Sequence, residues 1–157
     1  RDHGRDESGK VKMWGLNSRL DNLQAAVLLV RFNHYEEEIT HRRLLASRYE
    51  ENLNNLDSIV LPPCPDSSEN HYDIFQNYEV EVDDRENLRN FLEDSGIGTI
   101  LPWAGYCLHD FDDLDLVGEY NNSIEFSKRF MLLPLHASLT LEEVDIISEK
   151  ILKFYSK

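Results

Sequence analysis

The stretch GLNSRLDNLQAAVLLVRF, residues 15–32, decides how the rest of the sequence is interpreted. Apolar residues recur within it at steps of three and four, which predicts a helix with an apolar stripe. These positions are Leu20, Leu23, Val27 and Val30. Ser18, with Asp21 three residues later, has the capping-box pattern of a helix start. We therefore expect a helix to begin at Ser18, directly after Gly15 and Asn17.

The same helix is expected to continue to about Leu53, because no proline or glycine occurs between Ser18 and Leu61. The charged run EEEITHRR, residues 36–43, predicts a solvated middle, and the apolar pattern resumes at Leu44. Such a helix would be roughly 50 Å long at 1.5 Å per residue. This length exceeds what a small domain needs, so the sequence predicts a helix that links two bodies.

Beyond this helix the sequence predicts a small α+β domain with a mostly antiparallel sheet and flanking helices. Strands are expected in SIVLPPCP (58–65), NYEVEV (77–82), IGTIL (97–101) and FMLLP (130–134). Helices are expected after Asp83 or Asp84 up to Gly96, over Ile124–Arg129, and after Thr140. The alternation in residues 77–82 leaves one face wet, which is typical of antiparallel pairing.

Charge and composition exclude several classes of function. Thirty acidic against 16 basic residues give a formal charge of −14, which argues against binding to nucleic acid or to an anionic membrane surface. No apolar run approaches the roughly 18 residues of a membrane span. Cys64 and Cys107 have neither metal-site spacing nor disulfide density, so a reducing cytoplasm is the expected compartment.

The residues before the predicted helix have the donors of an anion site, although helix caps are the more common use of such residues. A helix N-terminus offers unpaired backbone N–H groups, and the Asn17 amide and the Arg19 guanidinium would add donors suited to phosphate. Gly15 would allow close backbone approach. The alternative is purely structural, with a turn at Gly15, a cap at Asn17 or Ser18, and a solvated Arg19.

Several stretches together resemble the DegT/DnrJ/EryC1/StrS family of pyridoxal-phosphate-dependent sugar aminotransferases. The most specific is residues 15–32, which is similar to the family pattern G-x-N-x-R-[ML]-x-x-[LI]-Q-A-A. Four further segments resemble family motifs in the same order. They are RDHG (1–4), HRRLLASRYEENL (41–53), DDRENLRNFLEDSGIGT (83–99) and LLPLHASLTLEEVDIISEKI (132–151).

The resemblance implies the C-terminal part of a type I aminotransferase fold. Residues 1–16 would be an active-site loop from the end of the large domain, residues 17–55 the long linking helix, and residues 56–157 the small C-terminal domain. It also implies a homodimer with shared active sites. Asn17 would then reach across to the phosphate of the partner's pyridoxal 5′-phosphate (PLP), and Arg19 would contribute to the same cofactor-phosphate site or bind the phosphates of the sugar nucleotide.

The catalytic groups of the family would lie upstream of RDHG. The chemistry needs a lysine that forms a Schiff base with PLP and an aspartate that holds the pyridine nitrogen protonated. No lysine in this sequence matches the family's lysine motif. We therefore expect these residues to be the C-terminal segment of a longer enzyme and to be inactive alone.

The substrate side is expected in GTILPWAGYCLH, residues 98–109, where family members often carry His-Tyr-Pro-x-Pro-x-His. Only His109 matches the later histidine, while Trp103 stands near the first aromatic position. His109 would bond a hydroxyl or phosphate, Trp103 would stack on a sugar or base, and His3 would lie near the active site. The alternative assigns Trp103 to the core and His109 to the loop surface.

No metal site is predicted. The residues His109, Asp110, Asp112 and Asp113 form an acidic loop that lacks the glycine and glutamate offsets of an EF-hand. A solvated loop is the expected state of this segment, and His136 is expected to be structural.

The resemblance thus implies transfer of an amino group from an amino acid, glutamate above all, to a nucleotide-linked keto-sugar. Products of this kind serve amino-sugar or surface-polysaccharide biosynthesis. Two alternatives stay open: a PLP-dependent nucleotide-sugar dehydratase, in which histidine replaces the lysine, and a non-catalytic dimerising or regulatory relative.

Overall fold

The chain was analysed as a computed structural model that describes residues 3–16, 21–68, 70 and 72–156. The described helices are α1 (Asn22–Phe32), α2 (Tyr35–Leu53), α3 (Arg85–Asp94), α4 (Asn121–Ser127) and α5 (Leu141–Tyr155). The strands are β1 (Ile59–Val60), β2 (Tyr78–Val82) and β3 (Phe130–Leu133). The chain divides into two compact parts, Arg1–Glu37 and Glu38–Lys157. Within the described ranges, no helix combines the length and apolarity needed to cross a bilayer.

The sheet confirms the predicted antiparallel α+β architecture. Its strand order is β1-β2-β3, and both neighbouring pairs are antiparallel. β2 alternates as the sequence predicts, because Tyr78, Val80 and Val82 are buried while Glu79 is exposed. Tyr78 lies opposite Leu133 and Val82 lies opposite Ile59, so the apolar residues of three strands share one face.

The helices α2, α3 and α5 supply the other side of the core. Their fully or nearly buried side chains include Leu45, Tyr49, Leu53, Leu88, Leu92, Val144, Ile147 and Ile151. The rings of Tyr49 and Tyr78 stack at 4.8 Å between centroids, and the Tyr49 hydroxyl donates to the Pro134 carbonyl at 2.9 Å. The predicted capping box of the last helix is confirmed. Thr140 Oγ1 accepts from the Glu143 N–H, and the Glu143 carboxylate accepts from the Thr140 N–H.

The prediction of one unbroken helix from Ser18 to Leu53 was wrong. α1 ends at Phe32, and Asn33 and His34 separate it from α2. The N–H groups of Asn33 and His34 bond three residues back, to Val30 and Arg31, so the backbone tightens there. α1 begins at Asn22 with Asp21 as its N-cap, whereas the predicted start at Ser18 lies outside the described residues.

The run 36–43 was predicted to be solvated, but its second half is tied into the fold. Ile39 is only 7% exposed. Arg42 donates to the carbonyls of Phe75 and Gln76, and Arg43 donates to the Asp73 carbonyl at 2.7 Å. Charged side chains can therefore be structural when their heads satisfy loop carbonyls and their stems cover apolar surface.

Two smaller predictions also need correction. Residues 97–101 were expected to form a strand, but they contribute one isolated bridge, between Ile100 and Leu132. Gly98 precedes this bridge, and Pro102, which has no N–H, opens a 3₁₀ turn directly after it, so the pairing does not extend. The helix expected at Ile124–Arg129 begins three residues earlier, as α4.

Candidate functional site

The two residues predicted to bind a cofactor phosphate, Asn17 and Arg19, lie outside the described residues. Their flanks are described on both sides. The loop 3–16 precedes them and α1 follows them, so the structure defines what the chain does immediately before and after this segment.

The loop 3–16 closes on itself at Gly4 and Gly15. A Cβ on Gly15 would lie 2.4 Å from the Gly4 nitrogen, and a Cβ on Gly4 would lie 1.9 Å from the Met13 carbonyl oxygen. The Lys12 N–H donates to the Gly4 carbonyl at 2.8 Å. Gly15 therefore permits close backbone approach, as one interpretation of the sequence required, and the approaching backbone is that of Gly4.

Asp6 holds the tip of this loop. Its carboxylate oxygen Oδ1 accepts from the Ser8 hydroxyl at 2.6 Å and from the N–H groups of Ser8 and Lys10 at 2.9 and 3.0 Å. The Ser8 hydroxyl bond is the largest of the effects that lower the pKa of Asp6 below its ordinary value. The loop leading to Asn17 is thus ordered by its own short-range contacts, not left as an open chain.

The start of α1 differs from the arrangement that the anion-site hypothesis assumed. The Asp21 carboxylate accepts from the Gln24 N–H at 2.8 Å and so occupies the helix N-terminus. That donor is taken, and Asn17 and Arg19 precede the cap instead of lying in the first turn. Asp21 therefore satisfies one of the N–H groups that a phosphate at the start of α1 would use.

His3, a predicted substrate residue, is exposed and has a left-handed backbone with φ of 53°. Its N–H donates to the Leu16 carbonyl at 3.3 Å. His3 lines an open cavity of about 560 Å³ together with Lys12, Met13 and Trp14, all from the same loop. His3 thus lies beside the backbone that leads into Asn17.

Trp103 lies on the 3₁₀ turn Pro102–Gly105, and its side chain is 80% exposed. Trp103 and Ala104 both have left-handed backbones, with φ of 52° and 56°. Consecutive non-glycine residues in this region carry steric strain, and such strain is common at functional sites. The alternative that Trp103 belongs to the core is therefore wrong.

His109 lies on the next 3₁₀ turn, Leu108–Asp110, with a side chain only 15% exposed. Its ring stacks on Tyr120, with centroids 4.9 Å apart and planes 9° from parallel. Both rings line a cavity of about 450 Å³ whose other walls include Leu116, Phe126 and Phe130. The alternative of a loose surface histidine does not hold, because the ring has a fixed orientation.

Cys107 and Asp110 lie against His109, which the sequence did not predict. The Asp110 carboxylate accepts from the Cys107 N–H at 2.7 Å, and its other oxygen lies 3.7 Å from His109 Nε2. The Cys107 thiol donates to the Ser123 carbonyl at 3.4 Å. The signal was the spacing Cys-x-His-Asp, which is short enough for one turn to bring the three side chains together.

Comparison with known proteins assigns the chain to a family. The sequence profile described as the DegT/DnrJ/EryC1/StrS aminotransferase family matches residues 1–152. The chain belongs to this family. Its fold class, a small C-terminal α+β domain of family members, agrees with that assignment, since solved family structures cover almost the whole chain while the chain covers about two fifths of them.

Three relatives illustrate the range of the family. A pleiotropic regulatory protein of Geobacillus stearothermophilus is 31% identical over 98% of this chain and 42% of its own length. A UDP-2-acetamido-2-deoxy-3-oxo-D-glucuronate aminotransferase of Pseudomonas aeruginosa is 29% identical over 92% of this chain and 39% of its own length. The crystal structure of NtdA from Bacillus subtilis with bound cofactor PMP matches with a TM-score of 0.77 and 28% identity, covering 99% of this chain and 38% of that one.

The chain therefore spans about two fifths of the length of these relatives. Its donor chemistry fits the phosphate of a pyridoxal cofactor. The Asn17 amide N–H₂ and the Arg19 guanidinium are both hydrogen-bond donors. Residues 15–19 contain no carboxylate that would compete with a phosphate for them. Gly15 has no Cβ that would push this segment away from Gly4.

Proposed function

We propose that this chain is the C-terminal part of a PLP-dependent aminotransferase that moves an amino group from an amino acid, glutamate above all, to a nucleotide-linked keto-sugar. The product would be an amino sugar for surface polysaccharides or related glycosides. Membership of the family and the sugar aminotransferase among the relatives support this function. Shared active sites in a homodimer and a cytoplasmic location belong to the same proposal.

The observation that carries the proposal is the segment GLNSR at residues 15–19, next to the closed loop 3–16. Asn17 and Arg19 bind and orient the cofactor phosphate in this account. Arg19 supplies the charge, and Asn17 supplies a directional donor that fixes the position of the phosphate. The cofactor, when bound, supplies an electron sink for the carbon that gains or loses the amino group.

Trp103 and His109 are the proposed substrate residues of the second compact part, and His3 is a separate proposed substrate residue in the loop 3–16. The exposed Trp103 indole offers a flat face for a sugar or a base. His109, held by its stack on Tyr120, offers a ring nitrogen to a hydroxyl or phosphate oxygen. These groups would bind and orient the substrate without taking part in the bond changes.

Assembly is supported by the exposed apolar side chains of α1. Large residues on several sides of this helix lie in solvent. They are Leu23, Val27, Leu28, Leu29, Val30 and Phe32. Apolar surface of this extent on one element marks contact with further protein. We propose that the rest of the longer enzyme and the second subunit cover α1.

The cofactor role is tested in the full-length enzyme by PLP titration, followed by absorbance. Asn17→Ala and Arg19→Ala are each expected to weaken PLP binding about tenfold or more, the loss of one charge-assisted bond. Asn54→Ala and Lys10→Ala are matched controls, since both residues are exposed and lie outside the segment 15–19. Equal affinity in all five proteins would overturn the assignment of the phosphate site.

The substrate role is tested by the kinetics of His109→Asn against the control His136→Asn. His136 is exposed and bonds to Ser138 at 3.1 Å within its own turn. We expect the His109 variant to raise the KM for the sugar nucleotide with little change in the half-reaction with glutamate. The His136 variant is expected to match the parent in both half-reactions.

A second candidate function is regulation without catalysis, which the regulatory name of the Geobacillus relative favours. A regulatory protein would not convert glutamate to 2-oxoglutarate at any PLP concentration. A dehydratase of the same family would bind the cofactor but release water from the sugar nucleotide instead of aminating it. Mass spectrometry of the sugar product separates the three outcomes.

A further inference from the structure

Among the described residues, three potential metal ligands converge beside the cavity at Tyr120. The ligand atoms of Cys107, His109 and Asp110 all lie within 4.8 Å of one another. Two of them, the thiol and the imidazole, are partly buried, while the Asp110 side chain is 42% exposed. A cluster of one thiol, one imidazole and one carboxylate is the donor set of a borderline cation and not of calcium or magnesium.

We propose that Cys107, His109 and Asp110 bind a divalent zinc-class cation, with a fourth position open. The inference does not depend on the proposed aminotransferase activity, but it assigns His109 Nε2 to the ion, so the ion and the substrate contact proposed for His109 are alternatives.

Two contacts orient the His109 and Asp110 side chains and leave the atoms that would bind the ion, His109 Nε2 and Asp110 Oδ1, available. Tyr120 stacks on the His109 ring and fixes its plane. The Cys107 N–H holds Oδ2 of Asp110, which leaves Oδ1 directed to His109 Nε2 at 3.7 Å. Such outer contacts are the usual way in which proteins hold metal ligands in place.

The distances between the three ligand atoms suit a tetrahedral ion if these atoms move slightly closer together. With zinc–sulfur bonds of about 2.3 Å and zinc–nitrogen or –oxygen bonds of about 2.0 Å, neighbouring ligand atoms lie roughly 3.3 to 3.6 Å apart. The observed 3.7 Å between the imidazole and carboxylate is already near this value. The thiol needs a rotation about its side-chain bond to exchange the Ser123 carbonyl for the ion.

Binding converts the thiol to a thiolate and releases its proton to solvent, so each ion bound at this site frees one proton from Cys107. The net negative charge of the chain, −14, also favours a cation over an anion at this loop.

The test is a Co²⁺ titration of the full chain without a thiol reductant, followed by absorption. Cobalt in a thiolate site gives a sulfur-to-metal charge-transfer band in the near ultraviolet, which histidine and carboxylate sites lack. We expect this band to saturate at one equivalent and to disappear when Zn²⁺ is added, because zinc binds such sites more tightly than cobalt.

Variants identify the ligands. Cys107→Ser should abolish the band, and His109→Ala should weaken cobalt binding at least tenfold. Asp110→Asn keeps an oxygen that can accept from the Cys107 N–H but removes the charge, so a loss of about tenfold is expected. Cys64→Ser is the matched control and should leave the band unchanged, since Cys64 is also partly buried but is not in the cluster.

Circular dichroism of each variant establishes that it is folded, and Cys107→Ala replaces Cys107→Ser if the serine variant does not fold. Three results would each overturn the proposal. They are the absence of a charge-transfer band in the parent chain, a band that persists without Cys107, and a band lost in Cys64→Ser.

Discussion

The two compact parts of the chain differ in whether their large apolar side chains are buried or exposed. In Glu38–Lys157 they fill a continuous core between the sheet and three helices, with Leu45, Leu88 and Val144 fully buried. In Arg1–Glu37 the helix α1 has no buried residue, although more than half of its eleven residues are large and apolar. Apolar side chains therefore stabilise the fold in one region, and in the other they form the exposed surface that we propose contacts further protein.

This difference explains where the candidate sites lie. The packed body holds β2 and β3 in register, and the segment after Ile100 leaves the sheet through Pro102 and carries Trp103 and His109. The first part contains the loop 3–16. The candidate side chains are thus carried by segments that contribute little to the core.

The strongest test of the contrast compares leucines at Leu45 and Leu29. Leu45→Ala removes a fully buried side chain and should lower the free energy of unfolding by about 3 kcal/mol. Leu29 is 69% exposed, so Leu29→Ala should change the free energy of unfolding by less than about 0.5 kcal/mol. Urea unfolding of both variants measures the difference, and equal losses would mean that α1 is packed in solution.

A smaller effect is expected at the start of α5. Thr140→Ala removes the hydroxyl that accepts from the Glu143 N–H, and the expected loss is about 1 kcal/mol. Thr140→Ser keeps the hydroxyl and is expected to lie within about 0.5 kcal/mol of the parent. Thermal unfolding monitored by circular dichroism checks both; a Thr140→Ala variant as stable as the parent would contradict the cap.

The pH dependence of stability should reveal the Asp145 contacts. The Asp145 carboxylate accepts from Arg48 at 2.7 and 2.8 Å and from Asn52 at 2.8 Å, and the Arg48 bonds above all lower its pKa from 3.8 to about 2. A lowered pKa in the folded state stabilises the fold above pH 4, and this contribution disappears as the pH falls from about 4 to about 2.

Asp145→Asn tests this directly. At pH 7 the variant should be less stable than the parent, and the difference should shrink as the pH falls from 4 to 2. Asp113→Asn is the control, because Asp113 lies exposed in the acidic loop. A stability difference that does not depend on pH would show that the charge of Asp145 is not what stabilises the pair.

The smallest change in the free energy of unfolding is expected for a substitution on α1, which should nevertheless change self-association. Leu29→Ser should leave the free energy of unfolding within about 0.5 kcal/mol of the parent, since its side chain is already in water. It should nevertheless reduce concentration-dependent self-association in sedimentation velocity, because it interrupts the exposed apolar surface. Unchanged association would assign that surface no role between chains.

Most of the packed body follows from local sequence patterns. Alternation in residues 78–82 predicts β2, and Thr140 with Glu143 predicts the start of α5. The helix break at Asn33 and His34 was not predictable in this way, because neither residue is a proline or a glycine. Arg42 and Arg43 were also misinterpreted, since their partners are carbonyls more than 29 positions away.

The candidate site was predictable mainly through resemblance. Physical patterns alone indicated a phosphate site at a helix N-terminus, whereas the N-terminus of α1 is occupied by Asp21. The stack of His109 on Tyr120 depends on residues eleven positions apart across an irregular loop, for which no periodicity gives a signal. The roles of Asn17 and Arg19 stay predictions, because both lie outside the described residues.

One measurement tests the central claim most directly: the absorption spectrum of the full-length enzyme with PLP, recorded before and after glutamate is added. The account predicts that the absorption of protein-bound PLP gives way to that of pyridoxamine phosphate, and that Arg19→Ala needs more PLP to reach the same spectrum. No PLP binding by the full-length protein would contradict the account and would leave Asn17 and Arg19 as ordinary residues before a helix.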